Sequence, residues 1–431
     1  MDKQERNSLV AKLAEDMPPY VPNYHNFKPG DQILYSGPYF DHNEIEAAMK
    51  VLLTNKWISN GEYTARFQSA FARKFNAKHT HFVNSGSSAN LVMIASLKKI
   101  FHWKDGDEVI VSPTGFPTTI SPIVQNGLKS IFSDIEFNTL NFDLDEVERK
   151  ITEKTVAIFV SPVLGNPPNM DKLLDICKNH NIQLILDGCD SLGTKWKDKL
   201  LGEYAIAWSC SFYVAHHMTT LEGGMVCSNN IELIEEVRSF VNWGRNCRCV
   251  GAANALSCGT CGNRFDTWLG DEFGIIDHKY VFTNIGYNLK PLDIQAAIGL
   301  EQLKKFDEIE RLRKENFKKF RDLLLKYILN INIAWSYEQS NVSWFGVPII
   351  CNTSEIKNKL VQYLENHKIQ TRNYFAGNLL VHTGYKHLDD YRNYPNANKT
   401  LSTVFFVGCP PGYNDAVFEY IEGVLSKYEN S

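Results

Sequence analysis

Between Thr80 and Asn229 short apolar runs alternate with helical stretches, and no other feature of this chain limits its fold so tightly. The runs are His81-Phe82-Val83, Glu108-Val109-Ile110-Val111, Ser130-Ile131-Phe132, Val156-Ala157-Ile158-Phe159-Val160, Gln183-Leu184-Ile185-Leu186 and Ala205-Ile206-Ala207-Trp208. They are nearly continuous in apolar character, as strands buried on both faces must be. Helical stretches between them, such as Met170 to Asn179, imply crossover units and a mostly parallel α/β sheet. In such a sheet ligands belong at the carboxyl ends of the strands.

At 431 residues the chain is long enough for two domains. Asp41, followed three residues later by Glu44, has the pattern of a capping box that starts an amphipathic helix. From Pro291 to about Ile328 apolar residues recur at helical spacing, which predicts a long connecting helix. Strand-like Val347-Pro348-Ile349-Ile350 and a final helix from Asp415 complete a smaller α+β domain. The expected division is an N-terminal arm over 1–30, a large domain over 31–290 and the connecting helix with the small domain over 291–431. Residues 246–274 are rich in Gly, Asn and Cys and form a long loop, which in a compact domain is usually functional.

A net charge of −4 supplies no basic field for nucleic acid, and no apolar run approaches the roughly 20 residues of a membrane span. The N-terminal Met1-Asp2-Lys3-Gln4-Glu5-Arg6 lacks the apolar stretch of a signal peptide, so the cytoplasm is the expected location. Ten cysteines in a reducing compartment argue against a disulfide framework. Cys177, Cys210, Cys227, Cys351 and Cys409 stand in apolar surroundings and read as ordinary buried thiols.

Three segments could hold a flat, phosphorylated heterocycle. Asn84-Ser85-Gly86-Ser87-Ser88 follows a strand and opens a helix, where backbone N–H groups, hydroxyls and the helix N-terminus favour an anion. Taken alone it is as readily a helix cap. Phe116, just past the second strand, could stack on a ring or belong to the core. Asp187 ends a strand and could pair with a protonated pyridine nitrogen, or serve as a cap or structural ion pair.

Their order and spacing, with Ser211-Phe212 downstream, resemble the DegT/DnrJ/EryC1/StrS family of sugar-nucleotide aminotransferases over roughly Ile33 to Asn378. The resemblance implies the fold-type I, aspartate aminotransferase-like architecture. It implies that Gly86, Ser87 and Ser211 hold a cofactor phosphate, that Phe116 stacks on the ring and that Asp187 faces its nitrogen. Asn288, in Gly286-Tyr287-Asn288-Leu289, matches the segment that reaches the neighbouring subunit's phosphate, which implies a homodimer with shared active sites. The family pattern Ser-Phe-x-x-x-Lys is broken here at His216. A lysine there would tether an aldehyde cofactor as a Schiff base; imidazole cannot, yet it can act as a base near neutral pH.

Cys189 precedes Cys247 by 57 intervening residues, Cys249 follows one residue further, and Cys258 and Cys261 lie in the same loop. Four thiolates from separate segments could bind zinc or an iron–sulfur cluster, and spacing leaves the metal open. Together with Ala215-His216-His217, the set resembles the iron–sulfur branch of sugar 3-dehydrases. That branch implies cluster ligands Cys189, Cys247, Cys249 and Cys261, with Cys258 the rival for the fourth place. It spaces the third and fourth ligands by seven residues, whereas eleven separate Cys249 from Cys261 and eight separate it from Cys258.

The activity so implied is removal of the C3 hydroxyl from a nucleotide-linked 4-keto-6-deoxyhexose, with CDP-4-keto-6-deoxyglucose as substrate, in dideoxysugar and lipopolysaccharide O-antigen biosynthesis. The implied cofactors are pyridoxamine 5′-phosphate (PMP, or its aldehyde form PLP) and a [2Fe–2S] cluster. His216 would be the base, and a separate flavin/iron–sulfur NAD(P)H reductase the electron source, since the glycines do not form Gly-x-Gly-x-x-Gly. His217 and Arg372 are the candidate substrate contacts, the arginine for a diphosphate. Two other readings remain: a cluster-free 3-dehydratase, and a non-catalytic sugar-nucleotide-binding relative. If the strand carrying Asp187 persists, Asp187 and Cys189 share a face.

Overall fold

A computed structural model describes residues 3–15, 24, 27–54, 57–249 and 262–429. The alternating segment folds, in chain order, as β1 (His79–Val83), α1 (Gly86–Ile100), β2 (Glu108–Val111), α2 (Pro117–Gln125), β3 (Lys129–Phe132) and β4 (Thr155–Val160). It continues as α3 (Met170–His180), β5 (Gln183–Asp187), β6 (Ala207–Ser211), β7 (Gly224–Ser228) and α4 (Ile231–Val241). The seven strands form one sheet in the order β1-β7-β6-β5-β4-β2-β3. Pairs β6–β5, β5–β4, β4–β2 and β2–β3 are parallel, and β7 runs antiparallel to both its neighbours.

The sheet differs from expectation at two places. β7 is a seventh strand, built on the short run Gly224-Met225-Val226-Cys227-Ser228. β6 starts at Ala207 rather than Ala205, because a 3₁₀ turn over Leu201–Tyr204 still engages Ala205, whose N–H donates to the Gly202 carbonyl. The shift carries β6 on to Ser211, so that Ser209 lies level with Asp187 on β5.

The predicted capping box at Asp41 and Glu44 starts the helix His42–Thr54: the Asp41 N–H donates to Glu44 Oε2 at 2.9 Å. The long helix α5 (Asp293–Tyr327) buries Ile298, Phe306, Ile309, Phe317, Phe320 and Leu324 along one stripe. It leads to the second sheet, β8 (Ile331–Ile333), β9 (Gly346–Cys351), β10 (Thr371–Asn373) and β11 (Val404–Gly408), ordered β8-β9-β11-β10 and wholly antiparallel. The final helix spans Asp415–Leu425. Ile33 bridges Ile369, and with Tyr24 it joins the apolar core of this second sheet. The N-terminal chain thereby reaches the junction of the two sheets.

In the long loop Phe265–Asp266 pairs antiparallel with Ile276–Asp277, which lies just past the loop's expected end at 274. Cys258 and Cys261 lie outside the described residues. Among the described residues no helix is long and apolar enough to cross a membrane.

Candidate active site

A cavity of about 500 Å³ opens at the carboxyl ends of β5 and β6, where a mostly parallel sheet is expected to bind ligands. Gly86, Ser87, Phe116, Asp187, Ser211 and His216 all line it, and so do Cys189 and Arg372. The anion end is the start of α1, capped by Ser85, whose Oγ accepts from the Ser88 N–H at 3.1 Å. Only glycine fits at position 86, since a Cβ there would stand 2.6 Å from Ser211 Cβ and 3.0 Å from Cys189 Sγ. Ser87 Oγ donates to Thr118 Oγ1 at 3.0 Å, while Phe116, half exposed, offers its ring to the cavity edge-on to Phe375.

Asp187 closes the inner end. Thr119 Oγ1 donates to its Oδ2 at 2.6 Å, Asn90 Nδ2 donates to the same oxygen at 2.8 Å, and the Cys189 N–H donates to Oδ1 at 3.3 Å. Asn90 is itself oriented by Ser209 Oγ, which donates to Asn90 Oδ1 at 2.6 Å. β5 ends at Asp187, yet the Gly188 N–H still donates to the Ser209 carbonyl at 2.9 Å, and Asp187 and Cys189 both face the cavity. The donors fix the carboxylate's orientation, as a partner for a ring nitrogen requires.

His216 projects from the turn after β6. Its N–H donates to the Tyr213 carbonyl at 3.0 Å, its ring packs 5.3 Å from that of Phe345, and its Nδ1 stands 3.5 Å from Asp190 Oδ1. Only 16% of the side chain is exposed. Burial, reinforced by the positive charge of Arg313, pushes the imidazole down to about 3, while burial pushes Asp190 up to about 7. At neutral pH the ring is therefore unprotonated, the form that accepts a proton. A phosphorylated pyridine fits this arrangement: a helix N-terminus for phosphate, an aromatic ring for stacking, a fixed carboxylate and a neutral imidazole.

Of the remaining predicted residues, His217 and Asn288 do not line the cavity and Arg372 does. His217 is buried behind the cavity, with Nε2 2.9 Å from the Ser343 carbonyl. Asn288 is exposed, accepts from Lys290 Nζ and does not line the cavity of its own chain. Arg372 lines the cavity with its guanidinium 4.2 Å over the Tyr35 ring.

The cysteines divide. Cys189 faces the cavity, and burial together with Asp187 holds its thiol well above the ordinary value. Cys247 and Cys249 are buried neighbours near Arg238. Among the described residues no three His, Cys, Asp or Glu side chains gather closely enough to hold a metal ion. The three described thiols thus do not by themselves fit a cluster.

The sequence profile of the DegT/DnrJ/EryC1/StrS aminotransferase family matches residues 39–425. The chain belongs to that family. It is 36% identical over 402 residues to a dTDP-4-dehydro-2,6-dideoxy-D-glucose 3-dehydratase of Saccharopolyspora spinosa, covering 91% of this chain and 86% of the relative. It is 34% identical to the lipopolysaccharide biosynthesis protein RfbH of Salmonella typhimurium, covering 99% of this chain and 97% of that one. The fold superposes with a TM-score of 0.80 on the E. coli GDP-4-keto-6-deoxy-D-mannose-3-dehydratase with bound hydrated PLP, at 29% identity over 92% of this chain and 99% of the other. These matches establish the fold-type I architecture expected from the motifs.

In this member of an aminotransferase family, none of the described residues lining the cavity is a lysine. Several residues that shape the site escaped sequence reasoning. Asn90 and Thr119 fix Asp187, Asp190 neighbours His216, and Tyr35 and Phe345 form part of the wall. A signal existed for two of them: Asn90 stands three residues after Ser87 on the same helix face, and Asp190 repeats an acid three residues after Asp187.

Proposed function

We propose that this protein is a nucleotide-sugar 3-dehydrase that uses PMP held without a covalent link. The observation that carries this reading is His216 in place of lysine, buried and neutral in a cavity otherwise suited to a B6 cofactor. The 3-dehydratase relatives at 33–36% identity support it. When bound, PMP supplies an amine for the sugar's C4 ketone and a ring that accepts electrons.

This chain's own residues then have distinct tasks. The N–H groups at the start of α1, with Ser87 and Ser211, bind the phosphate. Phe116 covers one ring face, and Asp187 takes a hydrogen bond from the protonated ring nitrogen. His216 removes a proton at the C4′ carbon, so that the C3 hydroxyl of the sugar can leave. Phe345, Phe375 and Phe406 exclude water, and Arg372 beside Tyr35 meets the diphosphate. CDP-4-keto-6-deoxyglucose is the proposed substrate and the cytoplasm the proposed location. A homodimer with Asn288 serving the partner's site is proposed on the family segment Gly286–Leu289.

For the reducing electrons, the cysteine pattern supports a [2Fe–2S] cluster on Cys189, Cys247, Cys249 and Cys261, fed by a separate flavin/iron–sulfur NAD(P)H reductase. Among the described residues Cys189, Cys247 and Cys249 form no group of three ligands, and Cys261 lies outside those residues. The likeness to the GDP-4-keto-6-deoxy-D-mannose-3-dehydratase with bound hydrated PLP supports a second reading, a cluster-free 3-dehydratase. Iron and acid-labile sulfide in anaerobically purified protein decide between the two: both in equal amounts support the cluster, and their absence leaves the cluster-free enzyme.

The central claim is tested by borohydride reduction in the presence of PLP, followed by peptide mass spectrometry. With PLP equimolar to protein, the wild-type protein should carry no single stoichiometrically labelled lysine, whereas His216→Lys should carry the pyridoxyl group at position 216 and lose deoxygenation. One lysine labelled stoichiometrically in the wild-type protein would remove the proposal.

A further inference from the structure

We infer that Arg313 is a positioning residue that holds the His216 turn against the cavity wall. Arg313 stands in the apolar stripe of α5, between Ile309 and Phe317, and is 1% exposed. Its Nη2 donates to the His216 carbonyl at 2.9 Å and to the Ala215 carbonyl at 3.4 Å, and its Nη1 donates to the Phe345 carbonyl at 3.3 Å. Among the described residues no carboxylate forms an ion pair with it, and its Nε has no partner. The nearby Cys409 thiol and the Asp190 carboxyl favour the charge, but burial outweighs them and holds the guanidinium below its ordinary value. A buried cation with no direct ion pair is costly, and three backbone carbonyls offset that cost here.

One guanidinium ties two segments that lead into different sheets: the turn after β6, which carries His216, and Phe345, the residue just before β9. The rings of those two residues pack against each other at 5.3 Å. Ser36 Oγ adds a third tie, donating to the Ala215 carbonyl at 2.6 Å. Imidazole and phenylalanine are thus set relative to one another through their main chains, and the planar fork of arginine reaches all three carbonyls where a lysine ammonium has no such fan of donors. A misplacement of about 1 Å in a catalytic group can cost on the order of 10²-fold in rate.

The inference rests on His216 as the base of the proposed reaction, and the test separates the two. Arg313→Lys keeps the charge and is expected to fold; Arg313→Met removes the clamp. In the apoprotein, carbethoxylation of His216 by diethyl pyrocarbonate, followed by mass spectrometry, should be at least about threefold faster in either variant, with the exposed His382 as internal reference. In the loaded enzyme, kcat should fall at least about tenfold while cofactor affinity stays within about threefold. If Arg313→Met does not fold, Arg313→Lys alone decides. Unchanged labelling of His216 in Arg313→Lys overturns the inference. Faster labelling with unaltered turnover leaves the clamp standing and removes His216 from catalysis.

Discussion

Asp187 receives three donors: Thr119 on α2, Asn90 on α1 and the backbone N–H of Cys189 two residues along its own chain segment. Asp187→Asn would turn an NH₂ toward at least one of them, leaving a buried donor facing a donor. The unfolding free energy should fall by about 1–3 kcal/mol, measured by denaturant titration. Turnover with saturating cofactor should fall by on the order of 10²-fold, because the ring nitrogen loses its charged partner. Unchanged turnover would show that the carboxylate is structural. Asp187 was legible in the sequence because it ends an apolar run, as Gly86 was because it opens a helix. The residues that make them function were not. Asn90, Asp190 and Arg313 meet their partners through contacts between elements distant in sequence, and Arg313 is a charged residue in the apolar phase of its helix, with nothing in the sequence to say what it meets. Cys258 and Cys261, predicted as rival ligands, lie outside the described residues.

At the scale of elements, the site depends on how closely β7 approaches the start of α1. Gly224 opens β7, and a Cβ there would meet the Ser85 carbonyl oxygen at 2.3 Å and the Gly86 nitrogen at 2.6 Å. Backbone on the far side cannot yield as a side-chain tip can. Gly224→Ala should therefore displace the anion-binding turn, costing about 1–3 kcal/mol of stability. Phosphate-dependent affinity for PLP should drop at least about tenfold, read by equilibrium dialysis with pyridoxal as the phosphate-free control. Equal weakening of pyridoxal and PLP would instead place the damage at the ring. β7 itself was not anticipated. Its five residues form a short apolar run like the others, but no helical crossover precedes it, so a pattern of strand and crossover has no place for it. The offset of β6 has a similar origin: Ala205 and Ile206 are apolar, yet the turn before them holds the backbone out of the ladder. The long helix α5 was legible because its apolar spacing continues over many turns, far beyond what a chance pattern sustains.

Across the whole molecule, α5 and the segment entering the second sheet meet the His216 turn, and several histidines are held in neutral, buried form. The clearest case for stability lies away from the cavity. His81 on β1 is fully buried, its Nδ1 has no partner, and burial, with Arg238 of α4 nearby, pushes it down to about 3. The unfolded chain has an ordinary histidine there, near 6.5. As the pH falls below that value the unfolded state takes up a proton that the folded state refuses. The stabilisation is thus complete above about pH 6.5 and is lost as the pH falls toward 3. Over the interval from pH 7 to pH 5 this one residue should cost about 2 kcal/mol. His81→Leu keeps an apolar side chain of similar size and removes the titration. Denaturant midpoints at the two pH values should show the wild-type protein losing about 2 kcal/mol more than the variant. Equal losses would mean that the folded protein accommodates an imidazolium at position 81, and that the space beneath α4 is more polar than its apolar neighbours indicate.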